Sequence, residues 1–356
     1  MSLRTWGWDH DRASALSEMN LPAACQPGRV IGQERDRWIV QFESDRSVAR
    51  IASASFADPR PVTGDWVIVE PGPETADPLS IVAVLPRRSA FSRGAALTGA
   101  TEQVLAANID VAWIVHGLDS PLNLRRLERY LAVAWESGAT PGIVLAKADL
   151  AADPSAVVSE LATVAMGVDV HVVSVERPDS IRELRARLVP GRTVALLGPS
   201  GAGKSTLLNA LAGVQLAATG AVREGDRKGR HTTTRRELFQ IEGGALLLDT
   251  PGLRELRVWD LGEGLGHAFP EIDVLASACR FRDCRHEQEP GCAVLAAVES
   301  GELDADRLRG FRKLRAEAAH AARKANPLAR AAEIAKYKAA RKTLKHHPKY
   351  RRNTDS

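Results

Sequence analysis

GPSGAGKS, Gly198–Ser205, decides how the rest of the chain is read. It matches G-x-x-x-x-G-K-[ST], and its surroundings suit that motif. The apolar run TVALLG (193–198) leads into it as a strand, and STLLNALAG (205–213) leaves it with helical spacing. Glycines let backbone N–H groups turn inward, and a helix N-terminus adds partial positive charge at the same point. The loop is a cradle for phosphate groups. Gly198, Pro199, Ser200, Gly201, Ala202 and Gly203 form its backbone. Lys204 is placed to reach β- and γ-phosphates, Ser205 to bind Mg²⁺ through its hydroxyl, and Thr206 to touch the α-phosphate.

Downstream, the strand patterns ELFQIE and ALLL lead to DTPG, Asp249–Gly252. An Asp at such a strand end can hold Mg²⁺, and the N–H of Gly252 can meet a γ-phosphate. Between the two motifs lies GRHTTTRREL (229–238). One of its threonines can complete the Mg²⁺ shell as a switch loop does, although a solvated loop rich in β-formers accounts for the pattern too.

Upstream, VLAKADL, Val144–Leu150, reads as a buried strand ending in Ala146-Lys147-Ala148-Asp149. A carboxylate can accept from both N1–H and N2–H₂ of guanine, a pair that adenine does not offer. Asp149 fits that role, and Lys147 can lay its stem along the base. Lys-x-Asp after a strand is common by itself. It gains weight from Ser174, which ends the strand VDVHVVSV (168–175) where a second base loop belongs, with the backbone of Val175 facing guanine O6.

The order is base loop, second base loop, phosphate loop, threonine loop, DTPG. Joining its ends restores the ordinary order of a GTPase, so the expected fold is a circularly permuted α/β domain with a mostly parallel sheet. The permutation also runs the segment after DTPG directly into the cysteine region, a route for mechanical transmission of nucleotide state.

Outside this domain, residues 26–85 alternate short strands with Gly, Pro and Asp, as a small β-barrel does. An oligonucleotide-binding (OB-type) barrel and other small barrels fit that pattern about equally. PRRSAFSRG (86–94) reads as a basic linker. CRFRDCRHEQEPGC sets Cys279, Cys284, His286 and Cys292 as C-x4-C-x-H-x5-C, three thiolates and an imidazole suited to one structural, tetrahedral Zn²⁺. Cys25 stands apart as an ordinary thiol.

The chain has 356 residues and a net charge of +4, unevenly spread. Residues 311–356 carry fourteen basic and three acidic side chains, net +11, which leaves −7 for the remainder. Such an end suits a polyanion, although an alanine-rich solvated helix also has this composition. No apolar run is long enough to span a bilayer, and the first twenty residues lack a signal-peptide core, so the expectation is a cytoplasmic protein without membrane contact. Trp6 and Trp8 suit anchoring of the N-terminus to the barrel better than base stacking.

In sum the chain resembles the ribosome small-subunit-dependent GTPase A family of bacteria from about Gly28 to about Phe311. GDWV, PRRSAFSR, AANIDVAWIV, NLRRLERYLAVAWESG, KADL, GPSGAGKST, RHTTTRREL, DTPG and the cysteine pattern occur in that order. The resemblance implies an OB-type barrel, a permuted GTPase domain and a zinc domain. It implies a monomer that binds the small (30S) ribosomal subunit and its 16S rRNA, assists late maturation, and hydrolyses GTP to GDP and phosphate with turnover stimulated by the subunit. It further implies that His231, just before the threonines, serves catalysis with Lys204, and that Thr233 joins Ser205 and Asp249 around Mg²⁺. Leu253 stands where other GTPases place a water-orienting glutamine, as is usual in the family.

One departure matters. Ala146 occupies a position where the family usually has Asn or Thr, which predicts retained selectivity with reduced affinity. The expected divisions are an N-terminal extension (1–25), an OB-type barrel (26–90), the permuted GTPase domain (91–262), a helical zinc-binding domain (263–322) and a basic tail (323–356). The alternatives are an RNA-binding module in which nucleotide only switches affinity, and a permuted GTPase acting on the large subunit.

Overall fold

The computed structural model describes residues 2–19, 21–51, 59–71, 79–93, 103–216, 236–249 and 261–325. After a 3-10 turn at Leu3–Trp6, helix α1 (His10–Ser17) starts on Asp9, whose carboxylate accepts from the N–H of Arg12. Trp6 is buried and Trp8 meets Trp66 edge to face at 4.9 Å, so these rings anchor the N-terminus.

Five strands form the barrel: β1 (Gln26–Glu34), β2 (Arg37–Gln41), β3 (Arg46–Ile51), β4 (Trp66–Glu70) and β5 (Leu79–Val84). Their order is β1-β2-β3-β5-β4, closing through β4 onto β1, with β3 and β5 as the parallel pair. This closed five-stranded topology is the oligonucleotide-binding type, which decides between the barrels left open by the strand pattern. Val30, Trp38, Val40, Phe42, Val67, Val69 and Ile81 fill the interior, at the alternate positions a strand turns inward.

The segment read as a linker is structured. Ala90–Arg93 is strand β6, antiparallel to β7 (Gln103–Ala107). Arg87 and Arg88 are both ion-paired. Arg87 pairs with the fully buried Asp65 at 2.7 Å, Arg88 reaches Asp9 and Asp11 at 2.6 and 2.7 Å, and Phe91 is buried.

The sheet of the central domain uses β8 (Val111–Gly117), β9 (Thr140–Ala146), β10 (Asp169–Val172), β11 (Thr193–Leu197), β12 (Glu237–Gln240) and β13 (Leu246–Asp249). Their order is β10-β9-β8-β11-β13-β12, parallel throughout except for β12. Helices α2 (Leu124–Glu136) and α3 (Pro154–Leu161) cover one face, and α4 (Pro178–Ala186) and α5 (Lys204–Ala212) the other. The alternation of β11 shows why both faces need cover: Ala195 and Leu197 join one core, Val194 and Leu196 the second. β12 also pairs with β1 at Gly32↔Glu237, so one sheet runs from the central domain into the barrel.

Arg29 bolts that junction. It is 1% exposed, and its guanidinium donates to the carbonyl of Trp6, to Gly64 O (3.4 Å), Asn108 O (3.1 Å) and Thr193 Oγ1 (2.7 Å). Burial pulls its pKa down to about 9, which leaves it charged at neutral pH. Carbonyl dipoles, the Trp66 ring 5.3 Å away and the field of the Asp110 and Asp65 carboxylates answer the charge; among the described residues none forms a salt bridge with it. Arg29→Met keeps the stem and strips these bonds from buried carbonyls. It is expected to cost about 3 kcal/mol or more, read as a lower denaturant midpoint of the full chain.

Four helices follow: α6 (Gly262–Ala268), α7 (Pro270–Ala276), α8 (Ala293–Ser300) and α9 (Ala305–Ala325). They attach to the central domain through α2. The N–H of Gly264 donates to Glu136 Oε2 at 2.8 Å, and buried Arg307 on α9 joins Glu128 of α2 (2.7 Å) to Glu271 of α7 (2.6 Å). Among the described residues no helix is long and apolar enough to cross a membrane.

Candidate nucleotide and metal sites

The phosphate loop lies between the end of β11 and the start of α5. Gly198 has φ +135°, and a Cβ there would stand 2.3 Å from Val115 O, so only glycine lets the chain turn against β8. Gly201 and Gly203 also have positive φ, and Gly203 precedes the first turn of α5. Ala202 is buried, Pro199 and Ser205 are half-buried, and Ser200 and Thr206 are exposed. Lys204 Nζ donates to Gly198 O (2.8 Å) and Pro199 O (2.5 Å), so the ammonium lies folded over the loop.

Both base loops leave the same ends of the parallel strands, where ligands bind in open α/β sheets. Lys147 follows β9 with φ +58°, and Ala146 and Ala148 are buried. The N–H of Ala148 donates to Val173 O at 3.1 Å, which ties the first base loop to the second. Asp149 is exposed and accepts from the Ser174 hydroxyl. Ser174 is buried and in turn accepts at Oγ from the N–H of Glu176 (3.1 Å), while Ser180 Oγ bonds both its N–H and its carbonyl. Val175 is exposed beside it. The structure thus brings Asp149 and Ser174 into one hydrogen-bonded unit.

That unit has a measurable signature. The Ser174 hydroxyl, then the backbone N–H of Asp149, hold the Asp149 carboxyl below its ordinary 3.8. The charged carboxylate therefore persists to lower pH than a free one. Ser174→Ala is expected to raise the Asp149 pKa toward 3.8, seen in a carboxyl-carbon NMR titration. An unchanged titration would remove Ser174 as its partner.

Asp249 closes β13, which runs parallel beside β11. His231, Thr233 and Gly252 lie outside the described residues, as does the tail beyond Ala325.

Cys279, Cys284, His286 and Cys292 converge, with all their ligand atoms within 4.8 Å of one another. His286 presents Nδ1, 3.6 Å from Cys279 Sγ and 3.5 Å from Cys292 Sγ, and the two sulfurs are 3.8 Å apart. A tetrahedron with bonds of about 2.3 Å has edges of about 3.8 Å, so the donors fit a four-coordinate cation. Electrostatics agree. Burial raises Cys279, but the N–H groups of Val294 and Ala293 at the start of α8, together with hydrogen bonds to Cys292 and Cys284, bring it below a normal thiol. Burial, with Cys292 and Cys279 close by, pushes Cys284 up to about 11. Several thiolates are not stable this close together without a cation among them. Glu289 braces the intervening loop by accepting from the N–H groups of Arg285, Glu287 and Gln288, which holds its pKa at about 2.

Known proteins resemble this chain over most of its length. The family described as RsgA GTPase matches residues 84–259. The "Small ribosomal subunit biogenesis GTPase RsgA" of Opitutus terrae is 49% identical over 355 residues, covering 95% of this chain and 95% of that protein. The chain belongs to the RsgA GTPase family. The crystal structure of YjeQ from Thermotoga maritima superposes with a TM-score of 0.63 at 26% identity, over 83% of this chain and 98% of that one. YloQ, described as a circularly permuted GTPase, does so with a TM-score of 0.61 at 25% identity, over 85% and 98%. The permuted order read from the sequence agrees with the description of YloQ as a circularly permuted GTPase. As an RsgA-family member the chain is a GTP-hydrolysing enzyme of small-subunit biogenesis.

Sequence reasoning missed two groups that the RsgA fold places at these sites. Asp119, after β8, lies 2.6 Å from Lys147 Nζ. The Arg307–Glu128–Glu271 cluster binds the metal region to α2. Neither has a local motif; their partners lie 28 and 179 residues away.

Proposed function

We propose that this chain binds GTP at the phosphate and base loops, docks on the small ribosomal subunit through 16S rRNA, and hydrolyses GTP there to leave. The observation that carries this reading is the coincidence of a glycine-shaped phosphate loop with the Asp149–Ser174 unit at one end of a parallel sheet, in a chain 49% identical to a small-subunit biogenesis GTPase.

Each residue has a role in it. The N–H groups of Gly198 and of Ser200 to Gly203, with Lys204, hold the phosphates, and Thr206 supports the α-phosphate. Asp149 accepts from the guanine edge. Lys147 covers one side of the base, with Ala146 and Ala148 as its apolar seat and the backbone of Val175 at O6. Gly252 offers its N–H to the γ-phosphate, and His231 orients the attacking water. Ser205, Thr233 and Asp249 would hold Mg²⁺, which neutralises charge developing on the phosphate oxygens. Cys279, Cys284, His286 and Cys292 would hold one structural Zn²⁺ that staples a segment with little core of its own. The barrel, the metal region and the basic tail supply the rRNA-facing surface, on the domain divisions expected from the sequence. The protein acts as a monomer in the cytoplasm, where its substrate particle is made.

The test is phosphate release from GTP and from ATP, each with and without purified small subunits, at low salt with Mg²⁺. Strong stimulation by the subunit with GTP alone is the expected result. GTP turnover indifferent to the small subunit would send the assignment to another partner, the large subunit first. In the same assay His231→Ala is expected to bind GTP normally and lower turnover about 100-fold or more.

A further inference from the structure

β9 and β11 are not neighbours; β8 lies between them. A nucleotide that touches both the base loop and the phosphate loop therefore needs their spacing held from elsewhere. The loops meet at Gly203, where an added Cβ would stand 3.8 Å from Ala146 Cβ and 3.7 Å from Lys147 Cε. A methyl group makes that contact but no hydrogen bond. The polar tie is Lys147, whose Nζ donates to Gly201 O in the phosphate loop at 2.7 Å and to Asp119 Oδ2 at 2.6 Å.

Asp119 is itself held in place. Leu118 N–H donates to Ala146 O (2.8 Å), and Ser120 bonds Gly117 O with both its N–H (3.3 Å) and its hydroxyl (3.1 Å). The His116 ring lies 3.2 Å from Ser120 O. A Cβ on Gly117 would stand 2.6 Å from Asp119 Oδ1, so glycine makes the room in which the carboxylate sits. The turn presents one carboxylate to one ammonium, and that ammonium touches the phosphate loop.

We propose that Asp119 is a positioning residue for guanine-nucleotide binding: it pins Lys147 to the carbonyl of Gly201 and so sets the spacing of base loop and phosphate loop, a tie that the methyl group of Ala146 does not make. The inference rests on the GTP site proposed for this chain. Without the carboxylate, the Lys147 head group exchanges its bonds for water and its stem leaves the base plane. Asp119 acts through Lys147 and not on the γ-phosphate. GTP and GDP therefore weaken together, and KM rises while kcat at saturation stays the same.

Calorimetric titration of the full chain with GDP and with GTP-Mg²⁺ tests this. Asp119→Asn is expected to weaken both about tenfold, as for a charge inside a coupled network. In a Lys147→Ala background the same change is expected to cost less than about twofold, because its partner is gone. Ala146→Asn added to Asp119→Asn is expected to recover most of the loss by restoring a polar tie. The melting temperature of the nucleotide-free Asp119→Asn protein stays that of the parent, since the pair is partly exposed and contributes little to folding. Unchanged affinities in Asp119→Asn, or an equal loss in the Lys147→Ala background, overturn the proposal. Failure of Ala146→Asn to rescue overturns the claim that the two ties are equivalent. A parent chain that binds neither nucleotide refutes the GTP site, and this inference with it.

Discussion

Asp149→Asn is expected to lower the preference for GTP over ATP by about a hundredfold or more, which makes it one of the two largest effects expected in this molecule. The argument is donor counting. A carboxylate only accepts, and guanine offers two donors on that edge. An asparagine must turn one N–H toward guanine or toward the Ser174 hydroxyl, whose oxygen already accepts from the Glu176 N–H while Ser180 Oγ holds the Ser174 backbone. A donor facing a donor in a closed site is worse than a lost bond. The same variant is expected to gain affinity for xanthosine triphosphate, whose carbonyl at that edge suits the amide. Competition titrations with the three nucleotides decide it. Undiminished preference for GTP in the variant would mean that the base is read elsewhere.

The second large effect is metal removal. Binding of a structural Zn²⁺ is worth about 10–16 kcal/mol in isolated fingers at neutral pH, and here it is set against a segment of turns between α7 and α8. Chelation, or Cys292→Ala, is expected to abolish hydrogen-exchange protection from Cys279 to the first turn of α8. Cys292 is also the N-cap of α8, its sulfur accepting from Leu295 N–H at 3.4 Å, so the helix loses its start along with its metal ligand. GTP affinity is expected to hold within about twofold, because the nucleotide loops share no partner with the thiols. The contact of α6 with α2 is close and does not use the metal: a Cβ on Gly264 would stand 2.3 Å from Ala132 O, and the Gly264 N–H donates to Glu136 Oε2. Loss of nucleotide binding on chelation would show that the two sites are energetically joined.

The legible parts of this chain were those whose chemistry is local. The phosphate loop is eight consecutive residues, and the four metal ligands fall within fourteen. The permutation was legible because each nucleotide loop carries its own signature, so their order can be read off the chain. The barrel type was not, since strand lengths do not encode that β3 pairs in parallel with β5. The segment 86–94 misled for a related reason. Arginines in a row look solvated until their acids are located, and Asp65 and Asp9 come from the barrel and the N-terminal cap. Asp119 was invisible because an aspartate in a turn is the commonest of turn residues. Only its distance from Lys147 distinguishes it.

Arg29 sets a timetable for synthesis. The barrel strands are complete by Val84, and they close on one another without help from later residues. Yet two acceptors for the Arg29 guanidinium, Asn108 O and Thr193 Oγ1, lie 79 and 164 residues further along. At about 5–20 residues per second, translation reaches Thr193 roughly 8–33 s after Arg29. During that interval a finished barrel displays a cation on the face meant for the rest of the protein. The same count bears on dissection: an excised barrel ending before residue 108 keeps Trp6 O and Gly64 O for Arg29 but loses its other two acceptors, and replacing the arginine with a polar, uncharged residue is the first change to make in such a fragment.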